Sequence, residues 1–417
     1  MSDNDVRNHP SLKLALMLSA FSALGPFTVD MYLASLPQIM DDFDTNASLI
    51  QASLTASLLG LGLGQLVMGP LSDRYGRRKP LLMAMILYIA ASIGCAAAPH
   101  IELFIAVRFI QGIAASAGLV ISRAIARDRY SGVRMTKFIS LLTTISNIAP
   151  LISPNAGSAV LSYSSWIGVF VFLAMLGILL TAISLWGVEE SLPIERRVRG
   201  SLKTLVENYI SLFRDRSFMG YALLNGILFA GIFAFVAGTP FIYQNIYGLS
   251  PVQFSILFAM NGLAIMVGSQ LVKSMAGRMS ERLMIGIGLS LSFVSTAAIL
   301  IAVLSYGSLW TVFGSTFLFA ISIGIIGPMS ITLAMEPHGQ IAGSASAVLG
   351  TLQFALGAVI SPFVGIAGEN SAIPFGIVML VTSVLAIVSY IVVVRSDAAD
   401  DDHSKAQSII RRSKRGI

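Results

Sequence analysis

The sequence predicts an all-α polytopic membrane protein: twelve transmembrane helices in two six-helix bundles, with both termini cytoplasmic. Three observations carry this. Of 417 residues, 55% are hydrophobic and only 12% charged, with a mean hydropathy of +0.80; an average soluble domain is roughly a quarter charged. Twelve stretches reach the length of about 20 apolar residues that a helix needs to cross the hydrocarbon core. And of the 27 Lys and Arg, all but Arg108 fall at the ends of these stretches on one side.

In chain order, residues 1–13 are a polar cytoplasmic N-terminus. Spans follow at about 14–36, 49–71, 81–99, 102–126, 137–161 and 166–188, making an N-terminal bundle over 14–188. Span 1 is too long for a signal-peptide core and carries Asp30, so it is expected to be retained. Residues 189–216 form the longest hydrophilic interior stretch. Within it Leu202, Leu205, Val206, Tyr209, Ile210 and Phe213 recur at helical spacing, which predicts an amphipathic linker helix on the inner membrane face. The second bundle covers 217–395, with spans at about 217–244, 252–275, 282–304, 309–334, 340–367 and 373–395. Residues 396–417 read as a disordered cytoplasmic tail, acidic at Asp400–Asp402 and basic at its end.

The basic residues cluster before span 1, between spans 2 and 3, 4 and 5, 6 and 7, 8 and 9, and after span 12. The opposite connections contain none, and the one after span 1 is acidic (Asp41, Asp42, Asp44). This is the positive-inside pattern. It reads the net charge of +6 and pI of 9.5 as a topology signal rather than a nucleic-acid surface. The lone cysteine, Cys95, excludes an intrachain disulfide and a cysteine-built zinc site. The four histidines are scattered, so no metal is expected.

The halves carry a trace of repetition. Gln65-Leu66-Val67 near the end of span 2 recurs as Gln270-Leu271-Val272 near the end of span 8, an offset of 205 that also sets Asp30 opposite Phe235. Duplicated halves around a midplane site are a transporter design.

Asp30 in span 1 and Arg108 in span 4 are the ionisable side chains set deep in the spans. Each costs at least about 2.5–3.5 kcal/mol at the bilayer centre, so each needs a partner or a water-filled cavity. Each lies six residues from the outer end of its span, about 9 Å below it, so they are level. A proton-exchanging carboxylate beside a fixed cation and a static buried ion pair are both consistent with this placement. Further polar or aromatic candidates for a cavity wall are Tyr32, Asn147, Asn225, Phe233, Phe235, Tyr243, Gln244, Asn261 and Gln353. Each could equally serve interhelical packing. An enzyme would need a clustered acid–base or metal constellation, and none is visible.

The segment Gly69-Pro70-Leu71-Ser72-Asp73-Arg74-Tyr75-Gly76-Arg77-Arg78-Lys79 resembles the loop 2–3 signature of the major facilitator superfamily. The resemblance implies a cytoplasmic gate motif of Gly69, Asp73, Arg74, Gly76, Arg77 and Arg78, with Asp73 locking against the start of span 11. Arg108-Phe109-Ile110-Gln111-Gly112 resembles the family's span 4 arginine motif, associated with proton coupling. In span 5, Pro150, Pro154 and Gly157 sit in a segment similar to that of drug exporters, with Ala149 and Ala156 where glycines are usual. Gly25-Pro26-Phe27-Thr28-Val29-Asp30-Met31-Tyr32-Leu33 most resembles the Bcr/CflA group of drug:proton antiporters, with Ala34 in place of a proline.

The resemblance, over about residues 12–395, implies the major facilitator fold, no enzymatic activity and no cofactor, with the proton gradient as energy source. It implies a bacterial inner membrane protein, a monomer without obligatory protein or nucleic-acid partner. Protons and a small apolar or amphipathic substrate are the expected ligands, with Asp30 and Arg108 coupling them. An exporter of an endogenous metabolite with the same fold is the alternative.

Overall fold

The computed structural model describes residues 12–130, 132–197, 202–275, 278–368 and 371–392. The first span is broken. Helix α1 (Leu12–Asp30) gives way to a short 3-10 turn at Leu33–Ser35, and α2 (Leu36–Asp42) continues it. The remaining N-terminal helices are α3 (Ala47–Tyr75), α4 (Arg78–Ala96), α5 (Ile101–Arg129), α6 (Gly132–Leu161) and α7 (Trp166–Gly187). Helix α8 (Leu202–Arg214) lies in the linker. There follow α9 (Arg216–Phe241), α10 (Pro251–Met275), α11 (Glu281–Leu304), α12 (Leu309–Met335), α13 (Ala342–Ile360) and α14 (Ile373–Val392).

Among the described residues, eleven helical segments are long and apolar enough to cross a membrane. The fifth expected span is α6, whose apolar part is given by the shorter segment Ile148–Leu161. The expected end of span 1 near Leu36 is corrected: helix persists to Asp42. Pro37 suits the first turn of α2 because its missing N–H is unneeded there, and Trp166 Nε1 donates to Asp42 at 2.6 Å. The expected polar N-terminus, up to residue 11, and the expected disordered tail lie outside the described residues.

Helix starts follow capping rules. Asn46, Asp215, Ser280 and Ser308 side chains accept from backbone N–H groups three residues on. Gly76 ends α3 at φ +90°, a left-handed conformation that favours glycine.

Packing repeats itself across the chain. Helix α3 crosses α5 most intimately, and α10 crosses α12 in the same way; α1 packs on α5 and α6, and α9 on α12 and α13. Each crossing rests on glycine. A Cβ on Gly60 would meet the Phe109 carbonyl, and one on Gly112 the Ser57 carbonyl. In the second half, one on Gly268 would meet the Ile321 carbonyl and one on Gly324 the Ile265 carbonyl. Backbones approach this closely only where side chains are absent. The tripeptide repeat, by contrast, marks no equivalent contacts: Gln65 is buried against Gly350 and Gln270 is exposed.

Two seams join the halves, α3 with α13 and α6 with α10. On the first, Thr55 donates to the Ala358 carbonyl at 3.1 Å and Thr351 to the Gly62 carbonyl at 3.2 Å, while Gln51 reaches the Ala237 carbonyl of α9 at 3.3 Å. On the second, Ser255 donates to the Pro154 carbonyl at 3.0 Å.

In the linker helix, Leu212 is fully buried whereas Ile210 and Phe213 are exposed, and Tyr209 is half-buried. The apolar stripe therefore divides between protein and surroundings. The side chains of Leu202, Leu205 and Val206 lie outside the described residues.

Candidate functional site

Asp30 closes α1. Along that helix Leu16, Ala20, Ala23 and Phe27 are partly open, and Asp30 continues their three-and-four spacing. Asp30 as a whole is 8% exposed. Its polar neighbour is the Ser153 hydroxyl on α6. A Cβ on Gly157, one turn further, would strike the Met31 carbonyl, so α6 lies directly on the backbone beside Asp30. The same stretch offers the Pro154 carbonyl to Ser255 of the other half. The span 5 motif thus touches Asp30 on one face and the opposing bundle on the other. Pro150 stands one turn below within the same helix.

Arg108 is fully buried in α5. Its Nη1 donates to the Thr28 carbonyl at 3.0 Å and to Gln111 Oε1 at 2.6 Å. Its guanidinium carbon sits 4.0 Å from the Tyr32 ring centroid and 5.6 Å from that of Phe170, within range of a cation–π interaction. Nε and Nη2 have no hydrogen-bond partner. Gln111 donates to Ser92 at 2.8 Å, and Cys95 Sγ lies 3.9 Å from its oxygen. Gly112 is the crossing glycine described above.

Asp30 and Arg108 belong to the same level of the bundle, yet no ion pair joins them among the described residues. Helical azimuth is the reason. Thr28 faces α4, where its hydroxyl meets that of Tyr88 at 2.8 Å. Asp30, two residues on, projects about 200° away, towards α6. Arg108 therefore takes a backbone carbonyl of α1 instead of its carboxylate.

Tyr32 is buried on the guanidinium, with its hydroxyl 3.4 Å from Ser53. In the second half, Asn225 donates to Ser330 at 2.9 Å and accepts from Gln353, linking α9, α12 and α13. Phe233 packs on Phe354 and Phe229. Phe235 stacks on Phe258, which adjoins Phe254 and through it Tyr243. Tyr243 is fully buried, 3.2 Å from Thr316. Asn261 bonds back to the Leu257 carbonyl of its own helix. Gln244 lies in the turn after α9, with Nε2 unpartnered. Asn147 is in α6, and its side chain lies outside the described residues. The candidates thus form an Arg108–Tyr32 group, an Asn225–Gln353 group and an aromatic group rather than a single wall.

At the motif between α3 and α4, Arg77 donates to Asp73, to Ser72 at 2.9 Å, and to Asp128 at 2.8 and 3.2 Å. Burial works against its charge, but the hydrogen bonds it donates to Asp128 and Asp73, with their negative charges, outweigh it and push the guanidinium pKa up. Asp73 is thus paired within its own loop. The segment after α7 closes over this cluster: Glu190 accepts the backbone N–H of Arg77 at 2.8 Å and of Arg78 at 3.3 Å, and Ser191 donates to Asp128 at 2.8 Å. A Cβ on Gly76 would meet Glu190 and Arg197. Arg74 lies over Tyr75, at 5.5 Å, and a Cβ on Gly69 would meet Val120 only at ordinary contact distance.

Sequence reasoning missed Ser153, Thr28, Tyr88, Ser92 and Glu190. Serine and threonine are common in membrane helices and carry no pattern of their own; Glu190 bonds residues more than a hundred positions away.

A sequence profile described as Major Facilitator Superfamily matches residues 16–362. An uncharacterized MFS-type transporter of Bacillus subtilis is 45% identical over 381 residues, covering 91% of this chain and 94% of its own. A bicyclomycin resistance protein homolog of Haemophilus influenzae is 28% identical, covering 90% and 94%. A chloramphenicol resistance protein of Pseudomonas aeruginosa is 29% identical, covering 84% and 82%. In fold, a bacterial homolog of the human lysosomal transporter Spinster, in an inward-facing and unoccupied conformation, matches with a TM-score of 0.75 at 14% identity, covering 94% and 99%. A D-xylose-proton symporter matches with 0.71 at 16%, covering 90% and 96%.

Proposed function

We propose, from the premise that this chain belongs to the major facilitator superfamily, that it is a proton-coupled exporter of small, mainly apolar compounds, of the Bcr/CflA drug-efflux type. The family and fold are those of transporters and generally not of enzymes, and the protein is a multi-pass membrane protein whose bacterial relatives reside in the inner membrane. The finer topology is part of the proposal: twelve spans in two six-helix bundles, both termini cytoplasmic, the linker helix against the inner membrane face. The basic residues on one side of every span support it. The protein would act as a monomer, without cofactor, on the energy of the proton gradient.

The observation that carries the reading is the state of Asp30. It is a carboxyl group deep in the spans, nearly enclosed, with no cation bonded to it and only a serine hydroxyl facing it. A group so placed has no structural duty as half of an ion pair. It stands where α6 connects it to the other half, so that rocking of the halves alters its surroundings. Protonated, it can be enclosed without a partner; ionised, it needs water or a cation. Alternating access supplies these settings in turn.

The test is uptake by everted vesicles carrying an imposed proton gradient, with chloramphenicol and bicyclomycin among the compounds. Gradient-dependent accumulation in wild type, lost in Asp30→Asn, is the expected result. Full uphill transport by Asp30→Asn would remove Asp30 from the coupling role.

One observation favours the second reading, export of an endogenous metabolite. The 45% identical relative is uncharacterized, while the relatives named for drug resistance stand near 28%. Coupled transport of amino acids without any drug transport, in the same vesicles, is the outcome that selects it.

A further inference from the structure

Arg108 is held by a closed ring of hydrogen bonds that passes through three helices. Its Nη1 donates to Gln111 Oε1 at 2.6 Å. Gln111 Nε2 donates to Ser92 Oγ at 2.8 Å. Ser92 Oγ donates to the Tyr88 carbonyl at 2.8 Å. The Tyr88 hydroxyl meets Thr28 Oγ1 at 2.8 Å. The Thr28 carbonyl returns to Arg108 Nη1 at 3.0 Å. Ser92, Arg108 and Thr28 are fully enclosed, as are Tyr88 and Gln111.

The proton directions within the ring are determined. Thr28 gives its hydroxyl proton to the Leu24 carbonyl at 2.6 Å, so Tyr88 is the donor between the two hydroxyls. Ser92 spends its proton on the Tyr88 carbonyl, so towards Gln111 it can only accept. The amide of Gln111 is therefore oriented, nitrogen to Ser92 and oxygen to Arg108. A flipped amide would set an N–H against the guanidinium, where two donors face each other.

The ring also fixes what Arg108 leaves free. Nη1 has two protons, and both are used. The guanidinium is pinned at one corner, with the Tyr32 ring 4.0 Å away. Its other edge, Nε with Nη2, is unpartnered and buried. That edge is a planar fork of the kind that grips a carboxylate through two parallel bonds.

We propose that Ser92 and Tyr88 are positioning residues for proton coupling: they hold Gln111 and Thr28 so that Arg108 presents its Nε–Nη2 edge as a fixed receptor for a carboxylate. The inference rests on the coupling role of Arg108 and Asp30 given above. In the present arrangement Asp30 faces Ser153 and the fork is empty of protein partners; a change in the packing of α6 on α1 is what brings the two into register. The ionisable groups around the guanidinium are Tyr32, just after α1, and Tyr88 and Cys95 on α4, while Asp30, the last residue of α1, faces Ser153 on α6.

The experiment uses the full chain in proteoliposomes, with chloramphenicol as probe and export measured across pH. Ser92→Ala and Tyr88→Phe each open the ring without adding volume. Both are expected to move the pH midpoint of transport by about half a unit or more, with melting temperatures near that of wild type. Ser92→Thr keeps the accepting oxygen and is expected to retain the wild-type midpoint. Ser184→Ala, which removes another buried serine hydroxyl with no partner, is the control and is expected to change nothing. Unmoved midpoints in Ser92→Ala and Tyr88→Phe, with a moved one in Arg108→Lys, overturn this proposal and leave the coupling reading intact. An unmoved midpoint in Arg108→Lys as well overturns both.

A substrate-free measurement guards against an unsuitable probe. In micelles, nitrogen-15 NMR of the arginine side chains is expected to show slowly exchanging Nη protons from Arg108 in wild type, lost in Ser92→Ala. Protection that survives in Ser92→Ala overturns the proposal whatever the transport result.

Discussion

Glu190, just beyond α7, accepts the backbone N–H of Arg77 at 2.8 Å. Its second oxygen accepts from Arg78 and lies 3.7 Å from Arg197. The first turn of α4 is thus capped by a carboxylate that arrives from 113 residues away in the chain. This contact fastens the start of the linker to the loop between α3 and α4.

Glu190→Ala is expected to destabilise the protein by about 1–2 kcal/mol, the usual loss for a helix cap. Turnover should fall while the order of competing substrates stays the same. Thermal melts and transport competition on the purified variant check both parts.

Asp128→Asn and Asp73→Asn are expected to differ in severity. Both residues bond Arg77, but the Asp128 side chain is 14% exposed and that of Asp73 is 36%. Loss of a buried charge-assisted hydrogen bond costs about 1.5–3 kcal/mol, while the more exposed pair contributes about 0–1 kcal/mol. Asp128→Asn should therefore lower the melting temperature more. Equal effects would show that exposure is not what separates them.

Asp30→Asn and Arg108→Met are expected to be nearly additive in stability, within about 0.5 kcal/mol, because the residues share no hydrogen-bond partner. A static buried ion pair behaves otherwise, since removing one partner costs about 3–5 kcal/mol and removing both is often neutral. A double-mutant cycle read by chemical denaturation decides between these. Strong coupling in that cycle would restore the pair as a structural element.

Gly112→Ala is expected to destabilise by about 1–3 kcal/mol, as overpacking does, because the new methyl group meets the Ser57 carbonyl. Helix propensity alone forecasts a gain of up to about 1 kcal/mol. Gly286→Ala, with nothing within 4 Å, isolates that gain. Melting curves of the two variants should move in opposite directions.

Much of the fold was legible because lipid makes a simple demand: each crossing must be helical and apolar, with charge at its ends. That is why the spans could be placed within a few residues from Arg74, Arg127, Arg214 and their neighbours. The continuation of span 1 to Asp42 was not legible, since an acidic turn reads as a loop until Trp166 is seen to bond it. Asp30 and Arg108 stood out because charge is rare at that depth. Their depth followed from residue counting, but the direction each faces depends on the azimuth of α1 against α5 and α6. Packing sets that azimuth, and no spacing in either segment encodes it. The glycine crossings were likewise hidden: a glycine at a helix–helix contact and one on a free face look alike in sequence.

The enclosure of Cys95 beside Gln111 has a practical consequence. The chain is in effect its own cysteine-light background: its one thiol is shut inside the first bundle, away from aqueous alkylating reagents. Engineered thiols at Tyr163 and Trp310, exposed positions in the first and second halves, could be spin-labelled while the native sulfur stays dark. Distances between the halves could then be followed through a transport cycle in an otherwise unaltered protein.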